Sequence, residues 1–454
     1  MSTIVAISTS PGIGGIGIIR MSGKESFSIL NKIFRPKNNS EIKGYSMKYG
    51  NIIDNENNKI IDEVLVSYFI SPKSYTTEDM CEINSHGGII VMKQILDLCL
   101  KNGAELAEAG EFTKRAFLNG RIDLIKAEAI IDIINAKTEK EKEASVCQLN
   151  GFLSKEIMNI EKQLLSFTAD IEANIDYPEY DIEQVSKDKA ISILNNVKQK
   201  LLKLKNSFNN GKILKEGINT AIIGRPNVGK SSLLNVLLKE ERAIVTEYEG
   251  TTRDTIEEYI NINGIPLKII DTAGIRHTEN EVEKIGIEKS IEIAKTADLI
   301  IAIFDASQIL KEDDMRIIEI IKDKNVIIVL NKMDLVVNNE TIKTIESLKK
   351  AVIKISALEK QGIDAIYEEI LRLYDLSKIN IEGENIVTNS RHQNLINQSL
   401  NSLEKALNTI NQGLPLDIIS IDVKDILINL GKITGKNVSD DVINEIFSKF
   451  CLGK

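Results

Sequence analysis

The sequence predicts a multidomain α/β chain in which one α/β domain opens the protein and a second is inserted into a helical domain. Three observations predict it. Before Ile122, apolar runs alternate with glycine-containing turns. From Ile122 to about Phe208, apolar residues recur at helical spacing, as in Ile160, Leu164, Phe167 and Ile171, and again in Leu194, Val197, Leu201, Leu204 and Phe208. Between 216 and 378, apolar strands alternate with helical stretches, the pattern of a mostly parallel sheet, and the helical stripe then resumes at Ile396, Leu400, Leu403, Leu407 and Ile410. The expected division is 1–118, 119–215, 216–378 and 379–454, with the second and fourth segments forming one helical domain. At 454 residues the chain has room for about three domains.

In the first domain Thr3 to Ser8 reads as a strand. Gly12, Gly14 and Gly17 then satisfy G-x-G-x-x-G. A dinucleotide site requires a helix next and an acidic residue about twenty positions on. Here Ile16 to Met21 reads as a strand and the later region is Lys37-Asn38-Asn39-Ser40, so the dinucleotide reading is set aside. Ile61 to Ile70 reads as a strand, Ser85-His86-Gly87-Gly88 as a turn and Ile89 to Leu100 as a helix. Asp176-Tyr177-Pro178-Glu179-Tyr180-Asp181 interrupts the helical stripe as a turn, and Ser439 caps a helix running to Phe450.

Composition narrows the function. The apolar fraction is 43% and the net charge is −9, so the surface as a whole does not attract nucleic acid and any RNA contact needs a local basic patch. Neither a secretory leader nor an apolar run of about twenty residues is visible, which predicts a cytoplasmic protein without a membrane partner. Cys81, Cys99, Cys147 and Cys451 are far apart, and so are His86, His277 and His392. No disulfide framework or zinc site is expected.

The inserted domain carries the chemistry. Gly224-Arg225-Pro226-Asn227-Val228-Gly229-Lys230-Ser231 fits G-x-x-x-x-G-K-[ST] between a strand, Ile218 to Ile223, and the helical Leu233 to Leu238. Such a loop presents backbone N–H groups and a helix N-terminus to phosphate oxygens, with Lys230 for the β/γ charge and the Ser231 hydroxyl for Mg²⁺. Asp271-Thr272-Ala273-Gly274 follows the strand Leu267 to Ile270, placing a carboxylate for a Mg²⁺ water and Gly274 for the γ-phosphate. Asn331-Lys332-Met333-Asp334 follows Val326 to Leu330, and the Asp334 carboxylate can accept from both guanine N1–H and N2–H, which selects GTP over ATP. Ser356-Ala357-Leu358 follows Val352 to Ile355, where a backbone N–H can reach guanine O6. Together these segments predict a Ras-like G domain.

Many small GTPases place a glutamine after D-x-x-G to orient water, whereas here the position is Ile275. Glu279, Glu281 and Glu283 are the acidic alternatives, and the residues alone do not separate them. Thr246 to Asp254 reads as the first switch. Within it Arg253 is read as a salt-bridge partner in preference to an internal arginine finger.

The chain resembles the MnmE (TrmE) family of tRNA-modification GTPases along its whole length. The resemblance rests on Pro11-Gly12-Ile13-Gly14-Gly15-Ile16-Gly17 with Arg20, on Gly110-Glu111-Phe112-Thr113-Lys114-Arg115-Ala116-Phe117-Leu118-Asn119, on Gly250-Thr251-Thr252-Arg253-Asp254, and on Phe450-Cys451-Leu452-Gly453-Lys454. It implies that the first domain is folate-binding-like, dimerises and takes 5-formyltetrahydrofolate as one-carbon donor, with Arg20, Glu82, Arg121 and Lys454 on the folate-contacting positions. Arg121 stands where some members carry lysine, so the charge is kept and the contact geometry differs. It implies hydrolysis stimulated by K⁺ and by G-domain dimerisation, with Asn227, Thr246, Tyr248 and Thr251 at K⁺, Ser231 and Thr252 at Mg²⁺, and Glu283 as the acid that positions water indirectly. The family pattern places Asn227 to Ser232, Thr246, Gly250 to Thr252, Asp271 to Gly274, Asn331, Lys332, Asp334, Ser356 and Ala357 against GTP, and Lys230, Thr252 and Glu283 in catalysis. It further implies a homodimer that forms a heterotetramer with the FAD-containing MnmG (GidA) and modifies C5 of the wobble uridine in tRNA. Cys451 is read as a packing residue beside Phe450. A ribosome-assembly GTPase of the Era or Der type is the alternative, disfavoured because neither a KH-like G-x-x-G in a basic C-terminal segment nor a second set of G motifs occurs.

Overall fold

The computed structural model describes residues 1–38, 41–42, 44–176, 186–239, 243–245, 258–270, 292, 294–374 and 386–454. The chain divides into two compact units, one of residues 1–131, 149–195 and 398–454, the other of residues 132–148 and 196–397.

The first unit contains a seven-stranded sheet: β1 Ile4–Ile7, β2 Gly14–Ser22, β3 Phe34–Pro36, β4 Ser46–Asp54, β5 Lys59–Phe69, β6 Met80–Gly87 and β7 Glu105–Leu106, in the order β3-β4-β5-β6-β2-β1-β7. All neighbours are antiparallel except β1 and β7. Alternation sets the core: Val5, Ile19, Met21, Val64, Val66 and Ile83 face helices Ser26–Ile33 and Ile89–Lys101, which contribute Ile29, Leu30, Ile33, Met92 and Ile95. Ile16 to Met21 is strand, as expected, within a β2 that begins at Gly14 and has a register irregularity between Gly14 and Gly17. One expectation needs correcting. Ser85 to Gly87 is not a turn but the end of β6, because Gly87 pairs with Gly14, and a Cβ at Gly87 would lie 2.5 Å from the Gly14 carbonyl oxygen.

Helices Phe152–Asp176 and Leu416–Thr434 pack along each other in this unit. Their stripes are fully buried, with Ile157, Ile160, Leu164, Phe167 and Ile171 on the first and Ile419, Val423, Ile426, Leu430 and Ile433 on the second. Helix Asp440–Ser448 begins at Ser439, whose extended backbone suits an N-cap although its side chain makes no capping bond. It brings Phe447 and Phe450 against Phe117 of helix Glu111–Leu118. The expected turn at Tyr177 to Asp181 lies outside the described residues.

The second unit holds the other sheet: β8 Ile218–Ile223, β9 Ala243–Val245, β10 Glu258–Ile262, β11 Ile265–Ile269, β12 Leu299–Asp305, β13 Val326–Asn331 and β14 Ala351–Lys354, ordered β14-β13-β12-β8-β11-β10-β9. The strands from β14 through β11 run parallel, and at the edge β10 runs antiparallel to both β11 and β9. Strands β12 and β13 are buried at every position, as central parallel strands covered on both faces must be. Their carboxyl ends deliver the nucleotide loops to one edge of the sheet.

Candidate guanine-nucleotide site and N-terminal cation cluster

The phosphate loop leaves β8 at Gly224 and enters helix Lys230–Lys239. Its path needs two left-handed residues, Asn227 at φ 64° and Gly229 at φ 102°. Gly229 is required twice over, since a Cβ there would also collide with the Asn331 side-chain amide. Lys230 Nζ donates to the Gly224 carbonyl at 2.8 Å and to the Arg225 carbonyl at 2.9 Å, which holds the ammonium over the loop where phosphate oxygens would sit. Ser231 and Ser232 follow in the first turn, where the helix dipole favours an anion.

The base loop is built around Asn331, the final residue of β13 and 2% exposed. Its Nδ2 donates to the Val228 carbonyl at 2.8 Å and its Oδ1 accepts from the Ala357 N–H at 3.0 Å. One amide thus joins the phosphate loop, the N-K-x-D loop and the Ser356-Ala357 turn. Ser356 Oγ donates to Asp334 Oδ1 at 2.6 Å and accepts from the Glu359 N–H at 3.1 Å, which orients the exposed Asp334 carboxylate. Lys332, in the left-handed region at φ 65°, pairs with Asp305 Oδ2 at 2.8 Å. Burial pushes the Asp305 carboxyl up, but the bonds from Lys332 and Ser307 outweigh it and hold the group below the usual carboxylate range. Asp305 and Gln308 escaped the reading of the sequence; the one available signal was a carboxylate closing the apolar run Leu299 to Phe304.

In the other unit, Arg20 and Glu82 are direct cross-strand neighbours on β2 and β6. Arg20 Nε and Nη2 each lie 2.8 Å from Glu82 Oε1, and Nη1 donates to the Gly453 carbonyl at 3.2 Å. The Gly453 carbonyl also accepts from Ser8 Oγ at 3.1 Å, so residues 453 and 454 are seated on the sheet. Gly453 is left-handed at φ 87°, and a Cβ there would lie 2.5 Å from the Ile7 carbonyl oxygen. The guanidinium of Arg121 lies 4.5 Å from the Tyr75 ring centre and that of Arg20 lies 5.5 Å from it. Burial, followed by the Arg20 charge, lowers the pKa of Lys454. The structure therefore brings Arg20 together with Glu82 and Lys454, and sets the guanidinium groups of Arg20 and Arg121 over the Tyr75 ring, a cationic group with one carboxylate. Tyr75 was not singled out in the sequence.

Thr246, Tyr248, Gly250, Thr251, Thr252, Asp271, Thr272, Ala273, Gly274 and Glu283 lie outside the described residues, as do Arg253, Glu279 and Glu281. Among the described residues no cluster of three or more His, Cys, Asp or Glu side chains is arranged to hold a metal ion. The oxygens of Ser231 and of a bound phosphate are nonetheless the hard donors that Mg²⁺ takes.

Comparison with known proteins agrees with these features. Residues 3–121 match the family model described as the GTP-binding protein TrmE N-terminus, and residues 124–451 match that of the MnmE helical domain. A relative from Acetivibrio thermocellus, named tRNA modification GTPase MnmE, is 51% identical, with 100% of this chain and 99% of the relative covered. One of the same name from Clostridioides difficile is 48% identical at the same coverage. Among solved structures, the G domain of a Methanococcus jannaschii FeoB is 28% identical over 35% of this chain and 98% of its own, with a TM-score of 0.25. A structure of Aquifex aeolicus Era bound to GDP and aluminium fluoride is 26% identical over 41% of this chain and 66% of its own, at 0.27. With two family models and full-length relatives in agreement, the chain belongs to the MnmE (TrmE) family.

Proposed function

We propose that the protein is a tRNA-modifying GTPase whose hydrolysis cycle is driven by K⁺-dependent pairing of G domains. The observation that carries the GTPase reading is the single buried amide of Asn331 spanning Val228 and Ala357, which holds phosphate-binding and guanine-reading loops at one spacing. Its tRNA substrate comes from the family. In this reading Asp334 accepts from the guanine edge, Lys230 leaves its two loop carbonyls for the β/γ-phosphates, and Ser231 with Thr252 holds Mg²⁺. Asn227, exposed at the tip of the phosphate loop, joins Thr246, Tyr248 and Thr251 in holding K⁺. When bound, K⁺ would supply the positive charge that an arginine finger supplies elsewhere. Glu283 positions the attacking water indirectly.

The Arg20, Glu82, Arg121 and Lys454 group is proposed to take 5-formyltetrahydrofolate. The cations suit its glutamate tail, Glu82 can accept from pterin N–H groups, and the Tyr75 ring holds the Arg20 and Arg121 guanidinium groups together. The remaining proposals, a cytoplasmic homodimer working with an FAD-containing MnmG partner on C5 of wobble uridine, follow from family membership. Steady-state GTP hydrolysis in KCl against NaCl at equal ionic strength tests the central claim, with Glu283→Ala and Asn227→Ala alongside. A K⁺-specific rate lost in both variants is expected. Equal rates in both salts would sink the cation assignment and favour activation by a partner or by RNA.

A further inference from the structure

At the carboxyl end of β12 one short turn reaches both nucleotide loops. Strands β12 and β13 end in register, with Asp305 opposite Asn331. Asp305 Oδ2 accepts from Lys332 Nζ at 2.8 Å, while its Oδ1 accepts from the Ser307 N–H at 3.0 Å and from the Ser307 hydroxyl at 2.6 Å. Three residues on, Gln308 Oε1 accepts from Arg225 Nη2 at 2.8 Å, and the Gln308 carbonyl accepts from the Thr341 hydroxyl at 2.7 Å. Arg225 is the second residue of the phosphate loop. Its carbonyl is one of the two that receive Lys230, and its Nε lies 3.2 Å from Asp314 Oδ2.

We propose that the turn from Asp305 to Gln308 is a positioning element that sets how long guanine nucleotide stays bound, by fixing Lys332 of the base loop and Arg225 of the phosphate loop at one spacing. The proposal rests on the GTP-site reading above and deepens it. A free lysine side chain samples many rotamers. Pinning Lys332 to Asp305 removes that freedom before nucleotide arrives, so it is not lost on binding. Lys332 also sits in left-handed backbone, where a residue with a Cβ stays only if its surroundings hold it. Asp305 is 4% exposed and Arg225 8%, so each pair is shielded from solvent on one side. The Arg225 guanidinium, held between Gln308 and Asp314, anchors the stretch of loop whose carbonyl faces Lys230. Neither Asp305 nor Gln308 is among the residues assigned to catalysis, so the effect of replacing them should fall on residence more than on chemistry.

The test is dissociation of a fluorescent GDP analogue and single-turnover GTP hydrolysis in the full chain, with Asp305→Ala, Gln308→Leu and Gln308→Glu. Gln308 is exposed, so its variants fold even if Asp305→Ala does not. Asp305→Ala and Gln308→Leu should each speed GDP release and raise KM by about fivefold or more, as expected for losing a charge-assisted hydrogen bond. Single-turnover hydrolysis should stay within about twofold of the parent, a change too small to mark a lost catalytic contact. Gln308→Glu keeps an acceptor for Arg225 and should release GDP at the parent's rate. Unchanged release in Gln308→Leu, or in a folded Asp305→Ala, overturns the proposal while leaving the GTP site standing. Failure of the parent to bind GDP would overturn the site reading instead.

Discussion

Replacing Asn331 with alanine removes one side chain and leaves two buried groups unmatched. The Val228 carbonyl loses its donor at 2.8 Å and the Ala357 N–H loses its acceptor at 3.0 Å, in residues that are fully buried and 5% exposed. A buried polar group left without a partner costs about 1–3 kcal/mol. Two of them, with a water able to enter the vacated space and satisfy one, give roughly 2–4 kcal/mol. Asn331→Asp should do more harm. It keeps the acceptor for Ala357 but sets a carboxylate oxygen against the Val228 carbonyl, at the distance where a donated hydrogen now sits. Urea unfolding without nucleotide measures the stability term, and GDP release measures whether the phosphate and base loops have come apart. An Asn331→Ala variant that unfolds within about 0.5 kcal/mol of the parent, the ordinary range for surface substitutions, and holds GDP as long would show that the amide does not join the two loops.

The other predictions concern the N-terminal cluster and one buried acid. Arg20→Ala should weaken 5-formyltetrahydrofolate binding by about tenfold or more in calorimetry, because a charge-assisted pair is lost. Arg20→Lys should not restore binding, since one ammonium cannot reach both Glu82 and the Gly453 carbonyl as the guanidinium does; full binding in either variant would remove Arg20 from the site. Glu141, 5% exposed, accepts from the Lys137 N–H at 2.7 Å. Burial raises its carboxyl pKa from the ordinary 4.5 to about 7, with the Lys137 bond only partly opposing. The unfolded chain therefore gives up this proton more readily than the folded one, and the parent loses stability as pH rises through that window. Glu141→Gln does not titrate and keeps the acceptor, so its stability advantage over the parent should grow from about pH 4.5 to about pH 7 and then level off. A pH-independent difference would place the carboxyl in water.

Local chemistry made much of the fold legible. The apolar runs at Ile218, Leu299 and Val326 are β8, β12 and β13, and the stripes from Ile160 and Leu194 are buried as helical spacing requires. The strand reading of Ile16 to Met21 was available because an apolar run follows the glycines where a dinucleotide site would need a helix. The turn assigned at Ser85 to Gly87 failed because glycine marks a bend and a close backbone approach alike, and only the partner strand tells them apart. The cluster around Tyr75 was legible only through resemblance: Arg20, Glu82, Arg121 and Lys454 share no spacing, and what unites them is the register of β2 on β6 and the seating of Gly453 beside Ser8.

Asn331 and Asp305 show where local reading stops. As part of N-K-x-D, Asn331 reads as a ligand to nucleotide, and nothing nearby says that its amide is already committed to Val228 and Ala357. Asp305 reads as the polar end of a strand. Its meaning comes from pairing with Asn331 across two parallel strands, which puts Lys332 within reach of its carboxylate. Parallel neighbours need a long crossover, so residues that meet at their ends are necessarily distant in sequence. Their coupling is recoverable only once register is known. That makes register a functional quantity here: a shift of β12 by one residue would turn Asp305 to the other face of the sheet and strip Lys332 of its partner while leaving every recognisable motif intact.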